Sequence, residues 1–230
     1  MDRVLILLVE SALELVPREL WGFSDVRSHS RRRGVDPSRM LLDISYHYRS
    51  MRSRLKDWYK RGRPDIVHIA LLSITSSPLW GRGLIDVAVE TRHGIIVFRR
   101  GVRIPRNYNR FCGLMEQVLY EGRAPPDSSD PLIYLVENAD ALGYLDSVSP
   151  DSIFLLDESG EYIDLKDFAG SLTGFRYPAL LVGGFQRGSF SDRLLSAGFR
   201  RVSIYRGSLD TSSVICRVLT FIEYSIGIYG

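Results

Sequence analysis

Two cations and a carboxylate stand close together in the segment Arg61-Gly62-Arg63-Pro64-Asp65. Proline is favoured at the first position of a helix, so Pro64 predicts a helix start with Asp65 in its first turn. A carboxylate there can accept or orient a proton, and the neighbouring Arg63 can hold a phosphate or a developing negative charge. The helix dipole favours an acidic residue at this place whatever its function. Two interpretations stay open: a reactive pair, or a helix start with solvated arginines.

Three arginines, Arg103, Arg106 and Arg110, follow one another at spacings of three and four. Apolar residues spaced as on one helix face predict a helix over residues 105–120. If that helix extends through Pro105, the arginines form one cationic stripe suited to phosphates, with Tyr108 nearby to stack on a base. The alternative is an ordinary solvated helix face.

A glycine-rich stretch, Gly183-Gly184-Phe185-Gln186-Arg187-Gly188, follows a predicted buried strand at residues 179–182. It lacks the G-x-G-x-x-G spacing of a dinucleotide-binding turn, and the chain contains no P-loop motif. Glycines after a strand still allow the backbone to approach a ligand closely. A ligand-binding loop and a tight turn between strand and helix both fit this stretch.

The composition disfavours several classes of protein. The 230 residues are 45% hydrophobic and 25% charged, which is typical of one globular domain. No apolar run reaches the ~18 residues of a membrane span, and the first ten residues lack the features of a signal peptide. We therefore expect a cytoplasmic protein that does not bind a membrane. Histidines and cysteines are not spaced as metal ligands and no G-x-S-x-G motif occurs, so we expect neither a metal site nor a serine nucleophile.

The net charge of +3 is distributed unevenly. Residues 31–63 contain eleven basic and three acidic residues, and residues 92–123 contain seven and two. Residues 124–192 contain three basic and twelve acidic residues. This asymmetry predicts a face that binds a polyanion, set apart from a second functional region.

The hydrophobic pattern predicts the elements that position these residues. A continuous apolar run at Val4–Val9 is typical of a buried parallel strand, and a loop is expected from there to Gly34. A hairpin is expected around His93-Gly94. Further strands are predicted at residues 132–136, 153–156, 179–182 and 202–205, and helices at 46–60, from Pro64 onward, at 105–120 and at 212–226. Strands separated by helices predict an α/β fold with a mostly parallel sheet flanked by helices.

Several blocks of sequence together resemble one known family. They lie at residues 8–17, 41–47, 62–68, 77–79, 103–106, 110–117 and 182–185 with Gly188, in the family's order and across most of the chain. On these blocks the chain resembles the Nep1 (Emg1) ribosomal-RNA pseudouridine-N1 methyltransferases of the SPOUT superfamily, most closely the archaeal ones. It departs from the family pattern at Trp80, where Asn is usual, at Glu90, where His is usual, and at Gly184, where Ala is commoner.

The resemblance implies a single SPOUT methyltransferase domain over residues 1–230. That domain would have a deep trefoil knot at its C-terminal end and a small β-α-β extension at about residues 43–100. It implies S-adenosylmethionine (S-adenosyl-L-methionine) as the cofactor, a homodimer, and small-subunit ribosomal RNA as the substrate. The expected activity is N1-methylation of a pseudouridine in an RNA loop, with a role in small-subunit biogenesis and contacts to other assembly proteins.

The resemblance also assigns roles to individual residues. The catalytic residues would be Asp65 and Arg63, and the RNA-binding residues Arg63, Arg103, Arg106 and Arg110. The cofactor would be held by Leu156, Gly183, Gly184, Gly188, Ile204, Tyr205, Arg206, Gly207, Ser208 and Leu209. Two alternatives stay open: an RNA-binding assembly factor for which methyl transfer is dispensable, and a SPOUT enzyme that acts on another RNA nucleotide.

Overall fold

The computed structural model describes residues 1–229, and within them one sheet has eight strands. The strands are β1 Val4–Val9, β2 Ile85–Thr91, β3 Gly94–Phe98, β4 Arg123–Ala124, β5 Ile133–Glu137, β6 Ser152–Tyr162, β7 Pro178–Gly183 and β8 Arg200–Ser203. The helices are α1 Ser24–Arg33, α2 Ile44–Arg54, α3 Pro64–Thr75, α4 Pro78–Gly81, α5 Tyr108–Glu121, α6 Ala141–Val148, α7 Leu165–Leu172, α8 Asp192–Leu195 and α9 Thr211–Ser225.

Strand β1 lies in the middle of the sheet, between β2 and β7, and is parallel to both. All six of its residues are buried because helices cover both faces. Val4, Ile6 and Leu8 pack into the larger core cluster, which includes buried side chains of α3, α5, α7 and α9. Leu5, Leu7 and Val9 face the smaller core cluster, which includes buried side chains of α6 and α8. The predicted buried parallel strand is confirmed.

The sheet order is β4-β5-β3-β2-β1-β7-β6-β8. The five strands from β2 to β8 in this order pair in parallel, while β3, β5 and β4 pair antiparallel beyond β2. The expected mostly parallel α/β sheet and the hairpin at His93-Gly94 are confirmed. In the parallel half, β6, β7 and β8 all end at one edge, where their following loops lie side by side.

Helix α3 begins at Pro64, as predicted, and buries one broad face. Ala70 and Ile74 are buried, whereas Ile69 is 49% exposed. Val67 and Leu71 take the buried positions instead. The helix packs against both α9 and α5, so its buried surface is broader than a single stripe and is rotated away from Ile69.

The segment between β1 and α3 is more helical at its start than the sequence predicts. The expected loop up to Gly34 contains α1, which ends where Gly34 adopts a left-handed conformation with φ 64°. The predicted helix over 46–60 is shorter, because α2 ends at Arg54 and Asp57 is left-handed with φ 53°. A separate small core of Val16, Leu20, Val26, Met40, Leu42, Met51 and Leu55 holds this segment together.

Residues 43–100 do not form a strand–helix–strand unit. They contain α2, α3 and α4, followed by β2 and β3 as neighbours in the main sheet. The order strand–helix–strand occurs farther along, in β3, α5 and β5. The expected make-up of the extension at 43–100 is therefore wrong. Among residues 1–229, no helix is both long and apolar enough to cross a membrane.

Candidate functional site

A cavity of about 750 Å³ lies at the carboxyl ends of β6, β7 and β8. In open α/β sheets, ligands bind in the crevice outside the carboxyl ends of parallel strands. Three loops form most of its walls, and the first turn of α3 completes them. The lining includes the predicted residues Leu156, Gly183, Gly188, Ile204, Tyr205, Gly207, Ser208, Leu209, Arg63 and Asp65.

The first wall is a bulge in β6. Pairing with β8 is interrupted between Leu156 and Glu161, so residues 157–160 leave the ladder, and residues 157–159 line the cavity. Asp157 is fixed by Arg201, whose Nε lies 3.0 Å from Oδ2. Position 160 requires glycine because the bulge passes close to β8 there, and a Cβ would stand 2.6 Å from the backbone of Arg201.

The second wall is the loop after β7. Phe185 and Phe190 meet edge to face at 5.4 Å between ring centroids, and the ammonium of Lys60 lies 4.1 Å from the centroid of Phe185. Gly184 supports this loop from behind and is not part of the lining. Its N–H donates to the carbonyl of Val9, and a Cβ on it would lie 2.3 Å from the hydroxyl oxygen of Ser11.

The third wall runs from β8 to α9. The hydroxyl of Ser208 donates to Glu158 and so ties this loop to the first wall. Asp210 caps α9, and hydrogen bonds from the hydroxyl of Ser212 and the amide of Ser213 lower the pKa of its carboxyl. Arg206, a predicted cofactor residue, is not part of the lining, because its guanidinium lies over the ring of Tyr162 at 4.3 Å.

Arg63 and Asp65 reach the cavity from the start of α3. Nε of Arg63 lies 2.8 Å from Oδ1 of Asp65, and its Nη2 lies 2.6 Å from Oδ2. These hydrogen bonds raise the pKa of the Arg63 guanidinium. The amide of Arg63 also donates to the carbonyl of Ala12, which fixes the pair beside the strand ends. The Asp65 side chain remains 40% exposed.

Arg103 and Arg106 lie elsewhere, in a groove of about 910 Å³ between the C-terminal part of α3, α4 and the segment before α5. Arg82 and Arg100 line the same groove, and its lining contains no acidic residue. We call it the arginine groove. Trp80, the departure from the family pattern, is part of its wall and only 9% exposed.

The predicted helical stripe through Pro105 is wrong. Helix α5 begins at Tyr108, and the side chain of Asn107 accepts from the amide of Arg110 as its cap. Arg103 and Arg106 therefore belong to an extended segment, which His68 holds through a 2.7 Å contact with the carbonyl of Pro105. Arg110 is on the first turn of α5 and outside the groove lining.

Sequence reasoning missed several residues of both sites. In the cavity these are Asp157, Glu158, Phe185, Phe190 and Thr211, and in the groove Arg82 and Arg100. Acidic residues directly after a buried strand were the available signal for Asp157 and Glu158. Glu90 is structural, because it accepts from the amides of Glu10 and Ala141 and from Arg193. Within residues 1–229, no cluster of three His, Cys, Asp or Glu side chains could hold a metal ion.

Comparison with known proteins gives one consistent result. Residues 6–223 match the model of the EMG1/NEP1 methyltransferase family. A relative from Staphylothermus marinus, described as "Ribosomal RNA small subunit methyltransferase Nep1", is 44% identical over 97% of this chain and 96% of its own. A Pyrobaculum neutrophilum protein of the same description is 38% identical over 98% of this chain and 100% of its own. Crystalline Archaeoglobus fulgidus Nep1 bound to S-adenosylhomocysteine superposes with a TM-score of 0.84 at 34% identity, covering 99% of this chain and 100% of that one.

Proposed function

The chain belongs to the EMG1/NEP1 methyltransferase family, and from this premise we propose that it methylates N1 of a pseudouridine in a loop of small-subunit ribosomal RNA. It is an S-adenosylmethionine-dependent ribosomal-RNA methyltransferase. The observation that carries the finer proposal is the position of Asp65 and Arg63 in the wall of the cavity at the strand ends. A hydrogen-bonding pair beside a small-molecule site is the arrangement that N1 chemistry requires.

The residues of the cavity fit S-adenosylmethionine. Its volume of about 750 Å³ lies within the usual range of small-molecule sites. Leu156, Val182 and Ile204 offer apolar contact to an adenine ring, and Gly183 and Gly207 let a ligand approach the backbone closely because they carry no side chain. Asp157, Glu158 and Asp210 supply acidic acceptors suited to ribose hydroxyls or a cationic centre. When bound, this cofactor supplies a methyl group carried on a positive sulfonium.

Pseudouridine differs from uridine in carrying a proton on N1, which methylation replaces. Asp65 is placed to accept a hydrogen bond from N1–H, because each of its oxygens keeps a free lone pair beside the Arg63 bonds. Because Arg63 holds both oxygens in place, the carboxylate is suited to fixing the orientation of the base. We therefore assign Asp65 the orientation of the base, with the proton passing to water as the N1–methyl bond forms. Arg63 positions Asp65 and is also available to a flanking phosphate.

The arginine groove supplies the RNA contacts of this proposal. Arg103 and Arg106 there, together with Arg110 and Arg63, would bind phosphates that flank the target nucleotide. Extruding the target base from its loop would bring it to the cavity. α3 connects the two sites, since Asp65 at its start lines the cavity and Thr75 at its end lines the groove. RNA bound along α3 would therefore contact both.

Further parts of the proposal rest on the resemblance. They are one methyltransferase domain with an inserted extension, a trefoil knot formed by the C-terminal segment, a homodimer, contacts to other assembly proteins, and action in the cytoplasm. The apolar faces of α5 and α9 do not support the dimer, because they pack inside the chain. Ile69, which is 49% exposed, is itself part of the cavity lining, so its exposure does not support the dimer either.

Two synthetic RNA hairpins test the proposed reaction, one with pseudouridine and one with uridine at the same loop position. Each is incubated with the protein and S-adenosylmethionine and then weighed by mass spectrometry. We expect a gain of ~14 Da, one methyl replacing one proton, only on the pseudouridine hairpin. Tight binding without a gain on either hairpin would favour an assembly factor or a different target nucleotide.

A further inference from the structure

The segment from Arg18 to Lys56 forms a strongly basic surface that neither site uses. It contains ten Lys or Arg residues and four Asp or Glu residues, around helices α1 and α2. All ten basic residues are exposed. We call this segment, residues 18–56, the α1–α2 unit. None of its residues lines the cavity or the arginine groove.

The acidic residues of the α1–α2 unit do not neutralise its arginines. Asp25 accepts from the amides of Val26 and Ser50, so it serves the helix contacts. Asp36 accepts from Ser38, and Asp43 accepts from the amide of Ser45 and the hydroxyl of Tyr108. Among the described residues, Arg33 is the one basic side chain of the unit that pairs with a carboxylate, that of Glu116. Most of its positive charge therefore faces solvent.

Each helix carries arginines one turn apart, and α2 adds two exposed tyrosines. Arg27 and Arg31 are one turn apart on α1, and Arg49 and Arg52 are about one turn apart on α2. Tyr46 and Tyr48 are each 43% exposed. The guanidinium of Arg32 lies 5.2 Å from the ring centroid of Tyr46, and Arg52 donates to the hydroxyl of Tyr48.

This chemistry favours a nucleic acid over other polyanions. Arginine matches phosphate with a planar fork, and exposed tyrosines offer stacking surfaces for bases. A helix that binds a membrane surface needs an apolar face as well. The exposed residues of α1 are only serine and arginine. An acidic protein partner would not require the interleaved aromatic rings.

Hydrogen bonds tie the α1–α2 unit to α5, and the chain that follows it reaches the cavity. Both oxygens of Glu116 on α5 bind Arg33, and Tyr108 of α5 binds Asp43. Lys60 follows the unit closely and donates to the carbonyl of Ser189, a cavity residue. A nucleic acid bound along the unit would therefore have a fixed position relative to Asp65.

We propose that the α1–α2 unit binds the phosphate backbone of the ribosomal-RNA helix that flanks the target loop. The inference rests on the proposed function for the identity of the RNA. It makes the unit a docking surface, separate from the arginine groove that contacts nucleotides near the target. Its contacts would add affinity and orientation without reading sequence.

The test compares two triple variants that remove equal charge. One is Arg31→Gln, Arg49→Gln, Arg52→Gln in the unit, and the matched control is Arg123→Gln, Arg176→Gln, Arg217→Gln on other exposed surfaces. Each protein is titrated with the pseudouridine hairpin alone and with the same loop on a longer flanking helix, over a series of salt concentrations. Methylation of the short hairpin is measured in parallel.

We expect the unmodified protein to bind the longer RNA at least ~10-fold more tightly than the short one at low salt. The unit variant should lose this difference, and its slope of log affinity against log salt should fall by roughly 2 to 3, since each phosphate contact contributes ~0.9. The control should keep the difference, and the unit variant should still methylate the short hairpin at the normal rate.

Equal slopes for the unit variant and the control would overturn the proposal, whatever the hairpins show about methylation. The two proposals can fail separately. If the unit variant loses the preference for the longer RNA but the unmodified protein methylates no pseudouridine hairpin, the docking surface is supported and the proposed reaction is refuted. The unmodified protein is also titrated with anionic vesicles and with polyglutamate. If it binds either one as tightly as the longer RNA, and the unit variant loses that affinity too, the partner of the unit is another polyanion and not RNA.

Discussion

Arg63 and Asp65 bind each other through two hydrogen bonds although only Pro64 separates them in sequence. Pro64 starts α3 and turns the chain, so both side chains project into the cavity. The arrangement holds the carboxylate in one orientation without a partner from another element. A preformed orientation of this kind is what alignment of a reacting nitrogen requires.

Replacing Asp65 by Asn should slow methylation without weakening the cofactor site. The amide cannot accept from Arg63 at both positions, so the orientation of the base is lost together with the negative charge. We expect kcat to fall by roughly 100-fold, the usual cost when reacting atoms are misplaced by about 1 Å. Binding of S-adenosylhomocysteine, measured by calorimetry, should change less than ~3-fold, because Asp65 is one residue among many in the lining. Methylation at the normal rate would remove Asp65 from the chemistry.

Replacing Gly184 by Ala should destabilise the protein and deform the cavity. The new Cβ would stand 2.3 Å from Oγ and 2.9 Å from Cα of Ser11, and backbone cannot move aside easily. Forcing atoms into a packed site costs about 1–3 kcal/mol. We expect this loss in denaturant titrations, together with weaker binding of S-adenosylhomocysteine.

The matched control for Gly184 is Gly113→Ala. A Cβ at Gly113 in α5 meets nothing within 4 Å, and alanine is favoured over glycine in a helix by up to ~1 kcal/mol. This variant should be as stable as the parent or more so. Equal stability of both variants would show that the loop after β7 can shift away from Ser11.

The sequence was sufficient to predict the elements whose pattern is local. Val4–Val9 is continuous and apolar because the strand is buried on both faces, and Pro64 marks the start of α3 by its own geometry. α1 was missed because its exposed face is serine and arginine, and only Val26 and His29 are buried. Such a helix has almost no apolar periodicity to detect. Its stability comes from contacts with α2 and from the small core that they share.

The candidate site was only partly predictable, because its geometry depends on pairing between distant strands. Residues 157–159 line the cavity because β6 bulges against β8, and no local pattern marks a bulge. The arginine groove joins Arg82 to Arg103 across the β2–β3 hairpin, so their proximity is a property of the fold. Gly184 was predicted to bind the cofactor from its place in a glycine-rich loop, whereas it packs against Ser11.

Substitutions in the arginine groove should weaken RNA binding in proportion to lost phosphate contacts. Arg103→Gln, Arg106→Gln, Arg82→Gln and Arg100→Gln should each lower the affinity for the pseudouridine hairpin and reduce the salt slope by ~0.7–0.9. Arg123→Gln, on exposed β4 away from both sites, is the control and should leave the slope unchanged. Unchanged slopes for all four groove variants would make the groove a solvated surface.

Acid should destabilise the protein through the buried pair His29 and His47. The amide of Asp43 donates to Nδ1 of His47, so the proton of His47 is on Nε2 and bonds Nδ1 of His29 at 2.9 Å. Burial lowers the pKa of His47 to about 4, and the nearby positive charges of His29 and Arg33 lower it as well. The carboxylates of Asp43 and Asp25 raise this pKa, but by less. Burial also lowers the pKa of His29. The His47 ring is therefore neutral in the folded protein near pH 7.

An unfolded histidine takes up its proton near pH 6.5, whereas folded His47 does so only near pH 4. The unfolded state therefore binds more protons between these values, and the free energy of unfolding falls as the pH decreases through this window. From His47 alone we expect a loss of about 2 kcal/mol between pH 7 and pH 5 in urea titrations. The free energy of unfolding of His47→Gln should be lower than that of the parent at pH 7. Between pH 7 and pH 5 it should fall by about 2 kcal/mol less than in the parent. An equal loss in the parent and in His47→Gln would mean that the pair does not control acid stability.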